Sequence, residues 1–375
     1  MNLNKYILIL FLNITIFPYS WETSKAKETI DKAVISLYNH DFDTFNKNIK
    51  IAEQLDKNSP IIPFLKLGSE WQRIQLEEGY SSSYKSIMNN LDIVVPYYLQ
   101  RIDEQPDNPE YPLYLGSSYG MVARISLAKS DYINVLVNGY YALKYVKNAQ
   151  NLDSNLYDAY MPIGLMEYFA CKSNASIKGM SDIFGINSNC EQALELLEIA
   201  RNKSKYSWIE TSNILVYAYL YFENNYEKSL EVINHLRSKF PDNPFYLFIE
   251  AEVLARLKDW EQIDVLWPSL LYHANNGPLY KQKECFVKLK YIESLKLFSE
   301  GKFNEVIIDC DWIIDNYTLE FDWLKGFAYL LVGKAYDAKG NRELAIYNYK
   351  KSIKLTSYFP EREEAYDLIT NKSPH

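Results

Sequence analysis

One helix-pair pattern is written twice in succession between Trp208 and Ser269. The first copy reads IETSNILVYAYLYFENNYEKSLEVINHLRSKFPDN, and the second reads PFYLFIEAEVLARLKDWEQIDVLWPSLL. Each has an apolar-periodic segment, a short polar turn that closes on an aromatic (Tyr226, Trp260), and a second periodic segment. The two aromatics stand 34 residues apart. A helix pair repeated at such a period cannot bury its apolar face alone and must stack on its neighbours. The pattern therefore predicts an all-α solenoid, a fold that works by presenting surface.

The same grammar extends along the chain. Ile30, Ala33, Val34 and Leu37, then Phe45, Ile49 and Ala52, make an opening pair over 22–57. Ser59-Pro60 starts a helix through Leu67 and Trp71, and Gly79 to Ser83 breaks it. Tyr84 to Ile102 is a long helix that Pro96 is expected to kink. Gln105-Pro106-Asp107-Asn108-Pro109 is a stop-and-start signal. Later pairs bring the total to about eight, with a closing helix over 360–370 and no convincing strand.

The pair at 323–356 carries Gly333, Tyr336, Gly340, Ala345 and Tyr349. These resemble the tetratricopeptide consensus at its small, aromatic, turn-glycine, small and aromatic positions. Small residues let two helices approach, Gly340 ends the first helix, and the tyrosines fill space against the next pair. The resemblance covers most of residues 21–371 and implies an α-α superhelix. Some repeats are degenerate: Ser229 and Ile263 replace the small alanine, and Tyr217 replaces the glycine. LGSSYGMVARISLA, LYDAYMPIGLMEYF and NYEKSLEVINHLRSKFPDNP look similar to exported tetratricopeptide proteins of Gram-negative bacteria.

Residues 1–20 read as a secretory signal peptide. Lys5 is the positive region, Tyr6 to Phe17 the short apolar region, and Ser20 a small residue at the cut, with Ala26 a later site. Asn13 and the shortness argue against a membrane span, and a retained anchor is the alternative. With the first cysteine at Cys171, bacterial lipidation is not expected. The expected location is the periplasm or outside the cell. A net charge of −8 without a basic block disfavours nucleic acid. Of four cysteines, Cys171 and Cys190 flank a loop, and either bridge it or stay reduced and buried.

Chemistry is sparse. Gly116-Ser117-Ser118-Tyr119-Gly120 is a literal G-x-S-x-G, but helix phase explains it, so a serine hydrolase at Ser118 is an outlying alternative. Four dispersed histidines offer no metal or cofactor motif, and no cofactor is expected. Arg124 and Asp158, on successive first helices, are candidates for an ion pair. The resemblance implies that first helices line a concave face. By phase that face holds Asp158, Met161, Leu165 and Tyr168, then Ile214, Ala218, Tyr221 and Phe222. Phe245, Phe248, Glu252 and Arg256 follow, then Phe327, Leu330 and Lys334. An aromatic groove edged with charge suits an extended peptide or a helix. The expected function is a non-enzymatic adaptor for a protein segment in the cell envelope. The runner-up is a small-molecule or lipid carrier associated with a transporter, which would need an apolar cavity through the repeats.

Overall fold

Tandem helix pairs account for nearly all of the chain. The structure is a computed structural model that describes residues 21–172, 185–355 and 361–370. The leader expected at 1–20, most of the Cys-flanked loop and residue 371 lie outside the described residues. Among the described residues there are seventeen α-helices and no strand. They pair in chain order. The first three pairs are α1 (Trp21–Tyr38) with α2 (Phe42–Leu55), α3 (Ile61–Glu78) with α4 (Tyr80–Glu104), and α5 (Glu110–Ala128) with α6 (Tyr132–Leu152). A 3-10 turn, Tyr157–Ala159, leads into α7 (Tyr160–Lys172), whose partner is α8 (Cys190–Lys203). Next come α9 (Trp208–Tyr217) with α10 (Tyr226–Lys239), and α11 (Pro244–Leu257) with α12 (Trp260–Asn275). The last pairs are α13 (Leu279–Ser299) with α14 (Phe303–Asp315) and α15 (Trp323–Ala338) with α16 (Arg342–Ile353). α17 (Arg362–Thr370) closes the array. The expected all-α superhelix of eight pairs and a closing helix is thus what the chain forms.

The turn inside a pair has a shared chemistry that explains the repeat. A left-handed residue is followed by a capping Asp or Asn and then by the first residue of the second helix. His40, Ser130, Asn224 and Lys258, the non-glycine residues of positive φ among those described, all occupy that position, as does Gly340, whereas the left-handed Gly301 is followed by Lys302, which makes no side-chain cap. Asp41, Asp131, Asn225, Asp259 and Asn341 follow, and each side chain accepts from the backbone N–H three residues on. The cap's own N–H closes the preceding helix by reaching back five residues, as in Asp41 to Ser36 (2.9 Å) and Asp259 to Leu254 (2.9 Å). Asn225 instead reaches back six, to Tyr219 (2.8 Å). The extra residue belongs to a π-helical turn, Ala218–Phe222, that ends α9.

Within pairs, small residues set the spacing. A Cβ on Gly116 would lie 2.6 Å from Val146 Cγ2 and 2.8 Å from the Ala142 carbonyl, so α5 and α6 touch along their backbones. Gly333 stands against the Tyr349 ring in the same way. One continuous apolar core runs from Ile30 to Ala365. One local expectation needs correction. The interruption after α3 is Gly79 alone (φ 92°), and α4 begins at Tyr80 rather than Tyr84. That helix carries Pro96 in its interior and continues to Glu104.

The superhelix folds back on itself. The turn after α1 packs against the α10–α11 turn: Asn243 Nδ2 donates to the Tyr38 carbonyl (2.8 Å), and the Asp242 N–H to Asn39 Oδ1 (3.2 Å). The Tyr38 ring lies 5.4 Å from Phe240, and His40 lies 5.6 Å from Phe245. Gly79 leaves no room for a Cβ beneath Tyr280. Segments some 200 residues apart are therefore in direct contact, and the inner face meets another part of the chain.

Candidate functional site

The inner face is crossed by tyrosine hydroxyls that donate to carboxylates. Tyr38 donates to Glu210 (2.7 Å), Tyr206 to Asp31 (2.9 Å), Tyr80 to Glu284 (3.0 Å) and Tyr84 to Glu320 (2.6 Å). Each pair joins elements at least 172 residues apart. Shorter-range members of the set are Tyr168 to Glu223 (2.6 Å), Tyr219 to Glu198 (2.7 Å) and Tyr221 to Glu252 (2.7 Å). The phenol suits this place because its ring joins the core while its hydroxyl satisfies a carboxylate that has left water. Burial first, and the neighbouring carboxylates second, push the hydroxyls of Tyr38, Tyr80 and Tyr221 well above the ordinary range, so they remain donors.

The residues expected to line an open concave face are largely enclosed. Ala218, Tyr221, Phe248, Glu252, Phe327, Leu330 and Tyr168 are all buried. Phe248 belongs to a second apolar cluster with Leu270 and Leu289. Tyr221 lies 5.1 Å from Phe327 by ring centroids. Phe222 packs edge-on against Tyr168 and Trp323. Phe245 is held between His40 and the Lys288 ammonium, 4.7 Å from its ring. Lys334 pairs with Glu364 of the closing helix (2.7 Å). Met161, Leu165 and Ile214 are half-buried. The expectation of an open groove at these positions is corrected because other parts of the superhelix fill it.

Arg256 is the most enclosed cation of the set. Its Nη1 pairs with Glu361 (2.5 Å), its Nη2 donates to Tyr291 (3.1 Å), and Glu252 lies at 3.9 Å. Its Nε has no hydrogen-bond partner among the described residues. Burial holds the Glu252 carboxyl above its ordinary range, against the opposing pull of Arg256. Tyr291 and Glu361 were missed from sequence because they lie 35 and 105 residues from Arg256 and answer to no local period.

The proposed Arg124–Asp158 pair does not form. Asp158 accepts from the backbone N–H groups of Lys205, Tyr206 and Ser207 at 2.9, 2.8 and 2.7 Å, organising the turn that enters α9. Arg124 pairs with Glu320 (2.7 Å) and lies 5.0 Å over the Trp71 ring. Ser118 is fully buried and its Oγ donates to the Tyr114 carbonyl (2.8 Å), the habit of a helical serine rather than of an exposed nucleophile. Cys171 and Cys190 are joined by a disulfide. Cys285 and Cys310 are buried thiols, each pushed up to about 12 by burial. No cluster of metal-ligating side chains occurs among the described residues.

A more open feature lies between the first two pairs. α2 and α3 bound a recess of about 420 Å³. Its floor includes the buried Phe45 and Ile49, and its rim carries Lys50, Glu53, Lys66, Glu70 and Arg73. Lys66 is paired with Glu53 (2.6 Å) and Arg73 with Glu77 (2.7 Å). Glu70 accepts from Ser86. A recess with charges of both signs along its lining is suited to an extended, charged segment.

No family model matches the chain. No curated protein matches it. Among solved structures it is similar to a tetratricopeptide repeat protein from Parabacteroides merdae, at 14% identity over 93% of this chain and 100% of that one, with a TM-score of 0.28.

Proposed function

We propose that the protein is a non-enzymatic adaptor of the cell envelope that holds a segment of a partner protein in the recess between α2 and α3. The observation that carries this reading is that recess, with exposed charges of both signs along its lining. It sits on a scaffold whose distant parts are tied by Tyr38–Glu210 and Tyr84–Glu320. Helical-repeat scaffolds bind through such extended, preformed surfaces. Export rests on the leader-like residues 1–20. The carrier reading requires an unfilled apolar interior, whereas tyrosine–carboxylate pairs and aromatic rings cross the inner face.

The test is a pulldown from the native envelope fraction with the mature chain and a Lys50→Glu/Arg73→Glu variant. Both side chains are on the rim, so helical signal and melting are expected to be unchanged. A partner lost selectively by the variant supports the reading. Partners retained at full yield, or an apolar small molecule co-purifying in their place, refute it.

A further inference from the structure

The beginning of α6 carries an exposed apolar face that the scaffold does not use. Ile133 is 76% and Val137 47% exposed, and Leu127, Tyr132, Leu136 and Tyr140 are exposed around them. Ile133, Val137, Tyr140 and Lys144 recur at helical spacing and form one line along the helix. The opposite side, Ala142, Leu143, Val146 and Ala149, is buried. Single exposed apolar side chains are ordinary, but a contiguous patch at the tip of a hairpin is not.

The charge pattern identifies what fits this face. In a chain of net charge −8, residues 132–152 contain no Asp or Glu and carry Lys144 and Lys147. Lys129 adds a third cation at the hairpin turn. Lys147 is committed to the Gly185 carbonyl (2.8 Å), while Lys144 lies 5.7 Å over the Tyr145 ring. The one carboxylate at the tip, Asp131, is bound by the backbone and side-chain amides of Asn134 (3.3 and 2.7 Å). Tyrosines with aliphatic neighbours and flanking lysines match the boundary between acyl chains and anionic headgroups, where an amphipathic helix lies in the plane of the bilayer. Among the described residues no helix is long and apolar enough to cross a membrane, so the contact is interfacial.

We infer that the α5–α6 tip docks on the surface of an anionic lipid bilayer, with Ile133, Leu136 and Val137 entering the headgroup boundary. This stands independently of the α2–α3 recess. The test is flotation of the mature chain with vesicles of phosphatidylethanolamine and phosphatidylglycerol (three parts to one), and with pure phosphatidylcholine. The wild type is expected to float with the anionic vesicles, less with the neutral ones, and an Ile133→Asp/Val137→Asp variant to float roughly tenfold less. A Val265→Asp/Ile308→Asp variant, altered at exposed apolar positions on α12 and α14, is expected to float like the wild type. Failure of the wild type to float, equal flotation of the α6 variant, or equal loss in the α12/α14 variant overturns the proposal. So does an α6-dependent dimer, or a protein partner captured through α6, without vesicle binding.

Discussion

The hydroxyl of Tyr38, on α1, donates 2.7 Å to the carboxylate of Glu210, on α9, across 172 residues of chain. Packing of neighbouring pairs defines a superhelix, and bonds of this kind, with the ring contacts beside them, fix how one part of it sits on another. Tyr38→Phe keeps the ring against Phe240 and removes the donor, leaving a half-buried carboxylate short of one hydrogen bond. The expected loss is about 1–3 kcal/mol of unfolding stability, the range for removing one partner from a buried polar pair. Urea unfolding measures it, and a double-mutant cycle with Glu210→Gln isolates the pair.

Gly116 presents the opposite case, a contact made by absence. Its missing Cβ lets α5 approach α6 so closely that a Cβ there would lie 2.6 Å from Val146 Cγ2 and 2.8 Å from the Ala142 carbonyl. Helix propensity alone favours Gly116→Ala by about 1 kcal/mol. The collision includes backbone, which cannot rotate away, so overpacking of about 1–3 kcal/mol is expected to dominate. A lower urea midpoint at unchanged slope confirms this. A raised midpoint shows that propensity prevails.

These two residues also mark what was legible in the chain. Gly116 lies within a local period, and the turns that divide each pair carry a readable chemistry of left-handed residue, Asp or Asn cap and second helix. Helix number and pairing follow from such local signals. Tyr38 and Glu210 have no local relation, and neither do Arg124 and Glu320. The inner-face residues were placed by phase, and phase reports which side of a helix faces inward, not what meets it there. Asp158 illustrates the limit: phase puts it on a first helix, whereas it sits in the 3-10 turn ahead of α7 and accepts three backbone N–H groups from the turn that enters α9. Tyrosine is abundant in the chain, at 33 residues, but abundance does not reveal its carboxylate partners.

His40 ties stability to pH. Burial, and secondarily the charges of Lys281 and His273, lower its pKa from 6.5 to about 4. Between those values the unfolded chain binds a proton that the folded chain resists, so stability falls as pH falls. It is fully present above about pH 6.5, and the loss approaches about 3 kcal/mol once pH is below the folded value. His273 and His235 are shifted in the same direction, chiefly by burial, and add to the slope. His40 has φ 60°, so Asn is the replacement that tolerates the backbone. His40→Asn is expected to flatten the dependence of the urea midpoint on pH between 6.5 and 4. An unchanged slope would show that His40 already titrates normally.

The cysteines divide into a bond and two inert thiols, and one titration separates them. Cys171 and Cys190, 19 residues apart, bridge the end of α7 to the start of α8. Closing a loop of that length stabilises by about 3 kcal/mol on the chain-entropy account, so the reduced protein is expected to melt earlier by several degrees. Cys285 and Cys310 are buried and held as thiols, each pushed up to about 12. The thiolate is the reactive form, so neither is expected to react with a thiol reagent in the native state. Denaturation without reductant is expected to expose two thiols, and denaturation after reduction four. Four thiols without reductant would mean that the α7–α8 bridge is not formed in solution. Rapid native labelling at Cys285 would mean that the core between α11, α12 and α13 opens on the timescale of the reagent.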